Sequence, residues 1–184
     1  MGRIDELGDA GIRVVARGGG RSLTHRAVDT EAGVPSGSTS YYARTRSALT
    51  ALVVARITEH LELDLDDLAL PDRLDDATVV TIAEGFLARL ADRRDAQAAR
   101  LALLTELRDD ADLRAPLTAA AHVRTALVST AETLLSAIGV ADAPAAAVDL
   151  VGLVDALLLY RTADVGPLDP HRVLGAYVAG LPRT

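Results

Sequence analysis

Residues 22–49 read SLTHRAVDTEAGVPSGSTSYYARTRSAL. Thr24 precedes a short run to Ala32, where a hydroxyl can satisfy the first free amides of a helix, and Gly33 ends that helix. Gly33-Val34-Pro35-Ser36 has turn chemistry, and Pro35 with Ser36 starts a further helix reaching about Tyr42. Upstream, Ile4, Leu7, Gly11, Ile12 and Val15 recur at helical spacing, so residues 3–17 form an amphipathic helix closed by Gly18-Gly19-Gly20. Gly8 and Gly11 each cost that helix about 1 kcal/mol against Ala, so it must rely on packing. A helix opened by Thr, a small residue at Ala32, a Gly-containing turn and a short polar helix are the parts of a helix-turn-helix, whose second helix enters the DNA major groove.

Downstream, a fourth helix is expected over 45–63, with Leu49, Leu52, Val53, Arg56, Ile57 and His60 marking its turns. Residues 61–66, LELDLD, alternate with a period of two but have no partner strand, so they read as a fraying helix end before an acidic linker around Pro71 and Asp72. Further helices are expected at 74–92, 94–110, 114–138, 143–164 and 169–180, which makes the fold all-α. The expected division is a helix-turn-helix domain over 1–60 and a helical domain over 61–184.

Composition narrows the function. All 19 basic residues are Arg, so P-loop phosphate binding, Schiff-base chemistry and Ser/Lys catalysis have no lysine to use. There is no Cys, which excludes disulfides, thiolate metal sites and cysteine nucleophiles and suggests reducing cytoplasm. No apolar run approaches the roughly 18 residues of a membrane span, and residues 1–7 are charged where a signal peptide is apolar, so a soluble, unexported protein is expected. Residues 1–60 hold eight Arg against six acids, a net of +2, while 61–184 hold eleven Arg against twenty acids, a net of −9. A basic head on an acidic body suits a nucleic-acid-binding module joined to a different kind of domain.

On these residues the stretch resembles the TetR family of bacterial transcriptional repressors, over residues 3–60. Thr24 matches the family's helix-two cap, Ala32-Gly33-Val34 its turn, and Gly37 the glycine that lets the recognition helix approach DNA. Tyr42 falls on the phosphate-contacting tyrosine and Arg46 on the basic residue after it, while Ser36, Ser38, Thr39 and Tyr41 occupy the variable positions that read bases. Ala43 departs from the packing Phe that is usual there. Independently of the resemblance, helix N-termini and short hydroxyls suit phosphate, and Ser and Thr suit base edges. No Asn, Gln or Arg lies between Ser36 and Tyr42, so strong bidentate base contacts are missing. Core packing of Tyr41 and Tyr42, and a solvated face for Arg44 and Arg46, are the competing readings; the clustering of all four beside one turn favours DNA.

The resemblance further implies a homodimer on a palindromic operator and a pocket for a small effector beyond the linker. Phe86, Leu90, Leu104, His122 and Tyr160 are the pocket candidates, and the shortage of aromatics suggests an apolar effector. The segment 143–164 is apolar nearly all round, so one face is expected to meet a second subunit, with Val151, Val154 and Leu158 joined by Leu174, Tyr177, Val178 and Leu181 of the last helix. The competing reading is a central core helix within one subunit. His25, His60, His122 and His171 are too scattered for a metal set, no cofactor motif is visible, and no enzyme activity is expected. An all-helical protein-protein interaction module without DNA binding is the other functional class left open.

Overall fold

The computed structural model describes residues 2–71, 73–118 and 121–184. The linker residue Asp72 lies outside the described residues. The chain is all-α: α1 Arg3–Gly18, α2 His25–Ala32, α3 Ser38–Tyr42, α4 Arg46–Asp66, α5 Asp76–Asp92, α6 Arg94–Glu106, α7 Ala111–Arg114, α8 His122–Ala137, α9 Ala143–Thr162 and α10 Pro170–Ala179. Among the described residues no strand forms beyond an isolated bridge between Val140 and Arg183.

Two compact units emerge, one from residues 1–62 with 93–121 and the other from 63–92 with 122–184. A contiguous split at residue 60 does not describe this packing, because α6 lays Ala96, Ala99 and Leu103 into the same core as Leu7, Val15 and Val53.

The first unit is built on close helix approach. Ideal Cβ atoms on Gly8 and Gly11 of α1 would collide with Arg56 and Val53 of α4, so the two glycines that weaken α1 locally are what let α4 pack against it. Polar ties reinforce the packing of α1 against α4 and against α2. Arg56 grips Asp9 through both carboxylate oxygens, at 2.7 and 3.0 Å, and Arg13 (2.7 Å) and Arg17 of α1 hold Glu31 of α2.

The second unit is apolar inside. Phe86, Leu87 and Leu90 of α5, Leu134 and Leu135 of α8, Leu150, Leu157 and Leu158 of α9, and Leu174 and Val178 of α10 are all buried. Asp142 and Asp169 cap α9 and α10 by accepting from the Ala145 and Arg172 N–H groups, each with a proline in the first turn.

Three expectations change. The helix expected over 114–138 is broken: Pro116 lacks the N–H a continuing helix needs, so α7 passes into a 3-10 turn at Ala115–Leu117 and α8 starts at His122. The third helix starts at Ser38, with Pro35 to Gly37 in the turn. And α9 is, by length and composition, apolar enough to cross a membrane despite Asp149 and Asp155. Its place in the structure is that of a core helix, eight of its residues being buried within the unit.

Candidate nucleic-acid interface

The helix-turn-helix assembles as α2, the turn at 33–37 and α3. Thr24 caps α2 as expected, its Oγ1 accepting from the Ala27 N–H at 3.2 Å, and it is exposed. Gly33 ends α2 in the left-handed region. Gly37 has φ of +93°, a conformation in which side chains are strained, and a Cβ there would meet nothing within 4 Å. The turn therefore requires glycine for its backbone, and the space beside it is open.

α3 is held to α2 at both ends. At its start, Asp29 of α2 accepts from the Gly37 N–H (2.7 Å), the Thr39 N–H (2.8 Å) and the Thr39 hydroxyl (2.6 Å). At its end, His25 Nε2–H donates to the Ala43 carbonyl at 2.6 Å, and Ala43 itself is buried. Burial pushes the Asp29 carboxyl up, but the bonds from Thr39 and Gly37 outweigh it and hold the group below the ordinary Asp value. Neither His25 nor Asp29 belongs to the sequence expectations for the site. The available signal is their spacing, i and i+4, which puts both on one face of α2.

Tyr41 and Tyr42 project outward, 79% and 44% exposed, with their rings edge to face at 5.1 Å. They are not core residues. Ser36, Ser40 and Arg44 are also exposed, and the Ser38 hydroxyl donates to the Pro35 carbonyl at 2.6 Å.

Two expected contacts take other roles. Thr39 is fully buried and its hydroxyl is spent on Asp29, so it faces α2 rather than a base. Arg46 donates from Nη1 to the Leu23 carbonyl (3.0 Å) and from Nη2 to the Gly20 carbonyl (2.8 Å), tying the segment before α2 to the start of α4. The Gly20 N–H in turn donates to Glu106 of α6 at 2.9 Å, so Gly20 is held through both its N–H and its carbonyl.

The effector and subunit candidates also have places. Phe86 and Leu90 are core residues of the second unit, Tyr160 is half-buried there and His122 is exposed at the start of α8. Leu104 packs instead against the core of the first unit, so no single unit holds all five. Val151, Val154, Leu158, Leu174 and Val178 are buried within the second unit, and Tyr177 donates its hydroxyl to the Ala146 carbonyl at 2.7 Å. These six side chains are engaged inside their own chain, which is the core-helix reading of α9. Leu181 is half-buried. The outward face of α9 carries different residues: Val148 (57% exposed) and Leu159 (50%), with Gly152 between them opening on empty space.

Fold and site define an all-α protein with an N-terminal helix-turn-helix whose second helix presents its tyrosines outward. A model of the tetracyclin repressor-like C-terminal domain family matches residues 74–184, and the chain belongs to the TetR family of transcriptional regulators. Among solved structures, it is similar to a TetR family member from Streptomyces coelicolor A3 (24% identity, 99% of both chains, TM-score 0.72). A transcriptional regulator from Rhodococcus sp. Rha1 is similar at 17% identity over 98% of this chain and 96% of that one, with TM-score 0.78. The multidrug binding protein EbrR, complexed with malachite green, is 25% identical over 99% of both chains, with TM-score 0.67. No curated protein matches the chain.

Proposed function

We propose that the protein is a transcriptional repressor that binds a palindromic DNA operator as a homodimer and is released by a small apolar effector. The observation that carries this reading is α3 itself, held to α2 at both ends while Tyr41, Tyr42 and Arg44 stand free of the core beside it. Thr24, Tyr42 and Arg44 take the phosphates, and Ser36, Ser38 and Tyr41 face the base edges, with Gly37 letting the backbone come close. Arg46 acts one step back, through the segment it ties down. With no bidentate side chain on α3, each base contact is modest and affinity rests largely on phosphate.

The two subunits meet through the outward face of α9 around Val148, Gly152 and Leu159. A helix with apolar side chains at these positions and a glycine between them loses about 25 cal/mol for each Å² of apolar surface left in water, and a second copy removes that loss. The effector enters the second unit, near Phe86, Leu90 and Tyr160. That EbrR is a multidrug binding protein complexed with malachite green supports a small-molecule role for the chain. An effector that prefers the conformation fitting DNA less well lowers operator affinity by that preference.

Enrichment of duplexes from random DNA by the wild-type protein, followed by titration at several salt concentrations, tests the reading. Tyr42→Phe and Arg44→Ala are expected to weaken binding to all sequences, the loss of the Arg44 phosphate contact lowering the salt slope by about one unit. Failure to enrich any duplex would remove the DNA-binding reading and favour a protein partner.

A further inference from the structure

α3 has five residues, too few to hold a helical shape alone, because a helix nucleus costs more than its first hydrogen bonds return. Its shape and tilt are therefore imposed from outside. Asp29, 3% exposed, supplies three of the bonds that do so and His25 the fourth. The division of labour within Asp29 is specific: Oδ1 takes both the N–H and the hydroxyl of Thr39, and Oδ2 takes the Gly37 N–H. One carboxylate thus fixes the first residues of the helix and the left-handed turn before it. His25, one helical turn back on the same face, fixes the other end at Ala43.

We propose that His25 and Asp29 are positioning residues for sequence recognition: together they set the tilt and depth of α3 against α2, and so decide which base pairs it can distinguish, while touching no base. The proposal rests on the DNA-binding reading above. Its physical basis is a difference in tolerance. Hydrogen bonds from short hydroxyls and a tyrosine to base edges weaken steeply with small errors in distance and angle, whereas contacts of an Arg on a flexible stem with phosphate survive such errors. A mis-tilted α3 should therefore lose sequence discrimination before it loses affinity for DNA in general.

The test uses the duplex enriched by the wild-type protein and a scrambled duplex of equal length. In Asp29→Asn the amide oxygen can still accept from Thr39, but the new NH2 group faces the Gly37 N–H, donor against donor, and the turn loosens. Affinity for the enriched duplex is expected to fall about ten-fold or more, with affinity for the scrambled duplex within about two-fold. His25→Ala is expected to act alike. His25→Gln places an amide nitrogen the same number of bonds from the backbone and should restore discrimination. Thr39→Val should lose it, and Thr39→Ser should keep it. Thermal melting followed by circular dichroism checks the fold; should Asp29→Asn melt below the assay temperature, the two His25 variants decide the matter. Equal losses on both duplexes, or an unchanged ratio in folded variants, overturn the proposal. A wild-type protein that enriches no duplex overturns the DNA-binding reading itself, and this inference with it.

Discussion

The two units of this chain are stabilised in different ways. In the first, helices are brought together by absent side chains and by charge: Gly8 and Gly11 admit α4, Arg56 grips Asp9, Glu31 takes two arginines, and Asp29 and His25 bind α3. In the second, α5, α8, α9 and α10 are held mainly by leucine and valine. Directional bonds fix one arrangement and lose much when a partner is displaced, which suits a surface that must present side chains in register. Apolar packing is non-directional and tolerates rearrangement when volume is kept, which suits the effector-binding role proposed for that unit.

The sharpest contrast within the second unit is between neighbours on α9. Leu158 is buried and Leu159 is half-exposed. Leu158→Ala is expected to destabilise the unit by about 2–5 kcal/mol, as truncation of a buried leucine does. Leu159→Arg is expected to leave the melting transition nearly unchanged and shift sedimentation from dimer to monomer. If Leu159→Arg remains dimeric, the outward face of α9 is not where subunits meet.

Acid should separate the units more gently. In the first, burial raises the Asp9 carboxyl but bonding and charge from Arg56, with His60 and Arg13, leave it lowered; Asp29 is lowered as described, and Glu31 is lowered by Arg17 and Arg13. Carboxyls lowered in the folded state contribute stability that is complete above their ordinary values near 4, and that stability disappears as the pH falls through the folded values. In the second unit, Asp75 is lowered by Thr78, but at an exposed position where such bonds contribute little, and His171 is raised by Glu84. That histidine pair acts in the opposite sense, contributing below about 6.5 and fading as the pH rises through the raised value. Hydrogen-exchange protection is therefore expected to fail in the first unit ahead of the second below about pH 4. Simultaneous loss would mean that the polar ties of the first unit are not what distinguishes it.

The same contrast explains what could be read from the sequence. Thr24, Gly33 and Gly37 carry local backbone requirements, so they mark the helix-turn-helix wherever the rest of the chain lies. Thr39 does not: on a five-residue helix a threonine bonding a buried carboxylate and one facing a groove look alike in sequence, and only the tertiary contact with Asp29 tells them apart. Arg46 has the same ambiguity between a phosphate and two backbone carbonyls. In α9, where Val, Leu and Ala alternate around the whole circumference, periodicity marks no inward face, so Val151 and Val154 are indistinguishable from Val148 until the helix is packed. Pro116 is visible in the sequence, yet the apolar residues on either side continue the helical pattern and hide the break it makes.

A hydroxyl-radical footprint on the enriched duplex, with the protein-to-DNA stoichiometry measured on the same complex, bears most directly on the claim that two copies of α3 read one operator. Two chains per duplex and two protected patches on one face of the DNA, about 34 Å or one helical turn apart, are the expected result. A single protected patch from one bound chain, or protection that is the same on a scrambled duplex, would contradict it.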